Sequence, residues 1–174
     1  REIIAWFLLD LSPSIDFGAL DKQKRNVLID FVGTLSRLLT RHGNRVGAVM
    51  FGSGIQHKVP ARGGRLHVLR LLNDLLKQPH LTQTPITDLS ALIKGGLHTI
   101  KKRSLVFVVS DFISVPGWER SLSLLSQRHE VIAIRLLDPR ELSLPDVGHV
   151  LLEDAETGEQ VYVDTSDKKF RQRF

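Results

Sequence analysis

Asp10 opens the string Asp-Leu-Ser-Pro-Ser, so Ser12 and Ser14 follow it by two and four residues. A tight loop of that length can turn both hydroxyls and the carboxylate toward one point. Much later in the chain, Thr87 stands just before a helical pattern, and Asp111 follows the apolar run Ser104 to Val109 (SLVFVV) and Ser110. Together these residues supply two carboxylates and three hydroxyls, with no His nearby and no Cys anywhere in the chain. Oxygen-only donors suit a hard divalent cation, Mg²⁺ first and Mn²⁺ or Ca²⁺ after it, rather than zinc. Each residue alone has an ordinary explanation. An Asp at a strand end accepts hydrogen bonds, Ser beside Pro13 makes a turn, and Thr87 can cap the helix after it. Asp16 lies near enough to reach a metal-bound water, and Asp88 suits the first turn of a helix. The case for a metal rests on the set.

The set has meaning only if the chain brings Asp10 and Asp111 together. Ile3 to Leu9 is apolar on every residue, which reads as a strand buried on both faces of a parallel sheet. Val27, Leu28, Phe31, Val32, Leu35, Leu38 and Leu39 recur at helical spacing and predict a helix from about Leu20 to His42-Gly43, with Gly43 as a left-handed cap. Arg45 to Phe51 predicts a second strand, Gly52-Ser53-Gly54 a turn, and Gln56 to Val59 a short edge strand before Pro60. Leu66, Leu69, Leu72, Leu75 and Leu76 mark the buried face of a further helix. Asp88 to Ile100 is helical, with Gly95-Gly96 either weakening it or permitting close packing. Ser104 to Val109 is the third central strand, a helix follows around Trp118, Leu122 and Leu125, and Val131 to Leu136 is the next strand. Val150 to Glu153 and Gln160 to Val163 flank a hairpin turn. Alternating strands and helices predict an α/β domain with a mainly parallel sheet and helices on both faces. In such sheets ligands sit at the carboxyl ends of the strands, where Asp10 and Asp111 fall.

Composition removes several functions. The chain has 174 residues, 42% of them hydrophobic and 25% charged, which is the balance of an ordinary globular domain. Without Cys there is no disulfide scaffold, thiolate metal site or cysteine nucleophile. The longest apolar run is the seven residues from Ile3 to Leu9, against about 20 for a membrane span. The net charge of +5 invites nucleic acid. Four of its basic residues lie in 168–174, however, and without them the balance is +1. The seven His show no ligand spacing and read as surface or helix-end residues, and Arg62, Arg65 and Arg70 read as solvated charge. No Gly-x-Ser-x-Gly elbow or phosphate-binding glycine loop is present.

The order Asp10, Ser12, Ser14, Thr87, Asp111 resembles the metal-ion-dependent adhesion site of von Willebrand factor type A domains. A wider resemblance is to the bacterial von Willebrand A-like proteins associated with MoxR-type AAA+ ATPases. It is carried by Trp6 to Gly18 (WFLLDLSPSIDFG), Arg45 to Gly52 (RVGAVMFG), Thr87-Asp88-Leu89, Val109 to Phe112 (VSDF), His129-Glu130-Val131 and Leu137 to Val147 (LDPRELSLPDV). Ile15 stands where that family often has Met, and Pro85-Ile86 precede Thr87 in place of a Gly pair. Thr84 or Thr82 therefore remain alternatives as the loop ligand.

The resemblance implies a Rossmann-like fold over residues 1–166 with a basic tail at 167–174. It also implies a bound Mg²⁺ with an open position for a partner's carboxylate, and a non-catalytic protein-interaction role beside a MoxR-type AAA+ ATPase. The expected location is the cytoplasm. Arg1 in place of Met points to a segment of a longer chain, with the domain as the cytoplasmic part of a membrane-anchored protein. Two other classes stay open. One is a Mg²⁺-dependent phosphatase or phosphotransferase with Asp10 as nucleophile, although Ser12 and Phe112 stand where such enzymes carry acids. The other is a nucleic-acid-binding domain using the basic tail.

Overall fold

The computed structural model describes residues 2–16, 18–80, 87–137, 149–154 and 160–164. The elements in order are β1 (Ile4–Asp10), α1 (Pro13–Asp16), α2 (Gly18–Arg41), β2 (Arg45–Phe51), β3 (Ile55–Arg62) and α3 (Arg65–Leu76). They are followed by α4 (Leu89–Thr99), β4 (Leu105–Ser110), α5 (Trp118–Arg128), β5 (Glu130–Leu136), β6 (His149–Asp154) and β7 (Gln160–Asp164). The strands form one sheet in the order β3-β2-β1-β4-β5-β6-β7. The middle four, β2-β1-β4-β5, are parallel, and the strands outside them pair antiparallel. No helix among the described residues is long and apolar enough to cross a membrane.

The seven-residue apolar run becomes β1, the strand that parts two cores. Alternate side chains point to opposite faces. Ala5, Phe7 and Leu9 face the core closed by α2 and α3, through Leu28, Phe31, Val32, Val68 and Leu71. Trp6 and Leu8 face the core closed by α4 and α5, through Leu89, Leu92, Ile93 and Leu125. Both faces are covered, so no polar residue is tolerated between Ile3 and Asp10. The Gly95-Gly96 pair serves packing: a Cβ on Gly96 would stand 2.6 Å from Leu8 Cδ1. A buried Ser90–Ser121 hydroxyl pair at 2.7 Å ties α4 to α5.

Three expectations change. Ser12 to Ser14 leads into a helical turn rather than a plain loop, with Ile15 N–H donating to Ser12 O at 3.0 Å. The edge strand β3 runs through Pro60, which an edge position permits because its missing N–H is not needed there. The buried face of α3 is His67, Val68, Leu71 and Leu75, while Leu66, Leu69 and Leu76 are exposed. The helix is turned about one residue from the all-leucine stripe. The expected hairpin strands are present as β6 and β7. The tail at 167–174 and most of Leu137 to Val147 lie outside the described residues.

Two histidines are buried: His67 departs from the surface or helix-end reading, and His129 is a helix-end residue as expected. His67 is buried, its Nε2 2.7 Å from Val46 O. His129 is buried at the end of α5, and its Nδ1 accepts from Ser104 N–H at 3.1 Å. Burial, then the charges of Arg103 and Arg128, hold the His129 imidazole below its ordinary 6.5. The folded chain therefore binds fewer protons here than the unfolded chain as pH falls below 6.5. The stability is fully present above that value and is lost as pH falls through the lowered one. Compared by denaturant unfolding between pH 7 and 5, His129→Gln is expected to lose less stability than wild type. Parallel curves for the two proteins would contradict this.

Candidate metal centre

The order of connections creates a crevice at the carboxyl ends of β1 and β4. After β1 the chain crosses through α2 to β2 on one side, and after β4 it crosses through α5 to β5 on the other. Loops that leave in opposite directions open a gap between them, the usual ligand position in such sheets. β1 and β4 are in parallel register, Leu9 opposite Val109. Asp10 and the Ser110-Asp111 pair therefore follow at the same edge.

Asp10 is fully buried. Its Oδ1 accepts from Ser12 N–H at 2.9 Å and its Oδ2 from the Ser110 hydroxyl at 2.6 Å. Burial, then the charge of Asp111, push the Asp10 carboxyl up from 3.8 to about 6, against the hydrogen bonds from Ser110 and Ser12. Asp111 is buried as well, with Oδ1 accepting from Ile113 N–H at 3.0 Å. Among the described residues its Oδ2 has no hydrogen-bond partner. The ammonium of buried Lys24, on α2, stands 3.7 Å from that oxygen.

The loop after β4 is shaped by its own side chains. Phe112 adopts a left-handed backbone, φ 59°, a conformation rare for a bulky residue. Phe112 N–H meets the Ser110 hydroxyl at 2.9 Å, so both residues flanking the bend are tied back toward the site. The Phe112 ring packs edge-on to Trp118, centroids 5.1 Å apart. Such a contact is worth about 1 kcal/mol and offsets strain of similar size. The same loop holds Thr87, two residues before α4: Thr87 O accepts from Val115 N–H at 3.0 Å and from the Ser114 hydroxyl at 3.1 Å. Ser114 Oγ in turn accepts from Leu89 N–H at 2.9 Å. The N-cap of α4 is Asp88, whose Oδ1 accepts from Ser90 N–H. Thr87 is thus not the cap, and capping does not explain it.

Of the five expected ligands, Asp10, Ser12 and Asp111 meet at the crevice, Asp10 bonded to Ser12 and electrostatically coupled to Asp111. Thr87 is fastened through its carbonyl to the loop that carries Asp111. Ser14 lies in α1, with its side chain outside the described residues, as are the side chain of Asp16 and all of Thr82 and Thr84. Among the described residues no group of three His, Cys, Asp or Glu gathers; the oxygen donors that the crevice brings together are the Asp10 and Asp111 carboxylates with Ser12 and Ser110. That set fits a hard divalent cation. Asp111 Oδ2 makes no hydrogen bond among the described residues and is faced only by the Lys24 ammonium at 3.7 Å, and the two carboxylates repel each other, so further positive charge relieves both. Sequence reading missed Lys24, Ser110 and Ser114. Lys24 was legible in one respect: it shares the helical stripe of Leu28, Phe31 and Leu35, at offsets of four, seven and eleven.

Comparison with solved structures places the fold. A pilus adhesin, SpaC from Lactobacillus rhamnosus GG, superposes with a TM-score of 0.61 at 10% identity, over 76% of this chain and 24% of the adhesin. The conserved hypothetical protein BatB from Bacteroides thetaiotaomicron superposes with a TM-score of 0.54 at 12% identity, over 98% of this chain and 83% of BatB. At those identities the likeness is one of fold, and the fold is von Willebrand A-like. In sequence, the chain is 36% identical over 158 residues to the uncharacterized protein Rv1480 of Mycobacterium tuberculosis. The match covers 91% of this chain and 50% of Rv1480, so the chain spans about half the length of that relative. It is also 40% identical over 101 residues to the uncharacterized protein MAV169 of Mycobacterium avium, covering 58% of this chain and 60% of MAV169. The model of one protein family matches residues 1–174, and the chain belongs to that family, described as Protein of unknown function DUF58.

Proposed function

We propose that this domain is a non-catalytic, Mg²⁺-dependent protein-interaction module. Asp10, Ser12, Ser14, Thr87 and Asp111 would hold the ion, with Mn²⁺ or Ca²⁺ able to replace it. The observation that supports the reading is the buried Asp10–Asp111 pair at adjacent strand ends, with Asp111 Oδ2 hydrogen-bonded to nothing among the described residues and faced by the Lys24 ammonium at 3.7 Å. Mg²⁺, when bound, supplies a positive centre that a carboxylate from another protein can complete. The chain's own residues do the rest. Ser110 and Ser12 fix the rotamer of Asp10, and the bend at Phe112 fixes that of Asp111. Three neutral hydroxyls and only two carboxylates leave a divalent ion undersatisfied, which favours an acidic partner residue.

The partner proposed is a MoxR-type AAA+ ATPase, encountered in the cytoplasm. A phosphotransferase reading gains one observation, the Lys24 ammonium near Asp111. Against it, both oxygens of Asp10 are engaged by donors and the side chain is fully buried, a poor posture for a nucleophile. The interaction reading is tested by co-purification with a MoxR-type ATPase from the same genome. Wild type is expected to retain the ATPase in Mg²⁺, and Asp10→Ala is expected to lose it under identical conditions. Using the variant avoids disturbing the ATPase's own Mg²⁺–nucleotide. Equal retention by both proteins would overturn the proposal.

A further inference from the structure

The far end of the domain carries a second surface that the metal centre does not explain. Between α2 and α3 lies a cleft of about 470 Å³. It is lined by buried Val68, by Leu72 and exposed Leu69, and by Arg37, Arg41 and Arg65. Arg37 and Arg41 belong to the last two turns of α2, which lead to the amino end of β2. Asp10 is at the carboxyl end of β1, so a strand of seven residues separates the two sites, roughly 20 Å at about 3.3 Å per residue.

Two features make the cleft unlike ordinary surface. The first is apolar exposure. Leu66, Leu69 and Leu76 are 79%, 53% and 61% exposed, and helical spacing puts them on the same side of α3 as the rim of the cleft. Single exposed leucines are normal, but a run of them beside a cleft marks a contact surface. The second is charge. The three arginines are exposed, and among the described residues none has a carboxylate partner. Lys24 meets Asp111 and Arg45 meets Glu2; at the cleft three guanidinium groups stand together around one apolar surface instead.

We propose that this cleft docks an acidic amphipathic helix of another protein. Apolar residues of the helix, spaced three or four apart, would seat on Val68, Leu69 and Leu72. Glu or Asp on its flanks would meet Arg37, Arg41 and Arg65, whose planar guanidinium groups suit carboxylates. Apolar floor and cationic rim together select this occupant. A nucleic-acid backbone offers nothing to the leucines, and a flat membrane cannot enter a concavity. The site stands independently of the metal centre.

The test uses the full chain and labelled helical peptides read by fluorescence anisotropy. One peptide carries Leu at helical spacing with Glu at its other exposed positions. The second has Lys in place of every Glu. Vesicles containing phosphatidylglycerol form a third arm. The acidic peptide is expected to bind saturably, and Arg37→Glu/Arg41→Glu to weaken it by about tenfold or more. The same double variant is expected to gain affinity for the lysine peptide. Both arginines are exposed, so the variant should keep the wild-type melting temperature. Asp10→Ala should bind the acidic peptide as wild type does. No saturable binding of the acidic peptide up to about 1 mM, indifference to the charge swap, or binding to vesicles alone would each overturn the proposal.

Discussion

Lys24→Met is expected to bind Mg²⁺ about tenfold or more tightly than wild type and to be markedly less stable without it. The ammonium stands 3.7 Å from Asp111 Oδ2, and both side chains are buried. At an effective dielectric of about 20, two charges at such a distance interact by about 4 kcal/mol. In the metal-free chain that attraction shelters Asp111, whose Oδ2 has no hydrogen-bond donor among the described residues. A cation at the carboxylates meets the same ammonium as a like charge. Removing the ammonium therefore acts in opposite directions on two measurements. Metal-free unfolding should show a loss of about 3 kcal/mol, the usual cost of stranding one partner of a buried pair. Calorimetric Mg²⁺ affinity should rise, and saturating Mg²⁺ should restore most of the lost stability. Methionine keeps the length and apolar stem of the buried Lys24, so it fills nearly the same space. An unchanged affinity, or a stability loss that Mg²⁺ does not repair, would contradict this role for Lys24.

Gly47→Val is expected to be the most damaging single change outside the crevice. β2 and β3 slip register between Val46↔Arg62 and Ala48↔Val59, so Pro60 and Ala61 both lie opposite Gly47. A bulge brings backbone unusually close. A Cβ on Gly47 would stand 2.9 Å from Ala61 N, 2.9 Å from Val59 O and 2.9 Å from Trp6 Cζ3. Two of those atoms are backbone and the third belongs to a buried ring, so none can yield cheaply. The expected cost is about 3 kcal/mol, or a fall of about 10 °C in melting temperature for a domain of this size. Gly54→Ala is the control, because a Cβ there has nothing within 4 Å. Its melting temperature should match wild type. Equal melting temperatures for all three proteins would contradict the bulge as the constraint.

The parallel core was legible because a strand buried on both faces leaves an unbroken apolar run, as Ile3 to Leu9 does. Asp10 and Asp111 were legible for the complementary reason: a carboxylate that ends such a run has few places to go but the strand-end crevice. Other features follow from tertiary contacts that spacing does not encode. Leucines at 66, 69, 72, 75 and 76 fit more than one helical face, and packing against β2 selected His67, Val68, Leu71 and Leu75 instead. Lys24 and Arg25 sit in a charged string, Lys22 to Arg25, that reads as solvent-facing. Asp111 buries the first of the pair, and the Gln78 and Pro79 carbonyls receive the second. Ser110 and Ser114 are ordinary in composition. Their roles depend on the left-handed bend at Phe112, which no residue type there announces.

Isothermal titration of Mg²⁺ into wild type and Asp10→Ala addresses the metal centre most directly. Burial and the neighbouring Asp111 carboxylate both disfavour a charged Asp10 in the metal-free chain. The alanine variant should therefore fold, which its melting curve checks. Wild type is expected to bind Mg²⁺ at a single site and Asp10→Ala to bind none. Equal binding by both proteins, or none by either, would contradict a metal centre built on Asp10 and Asp111.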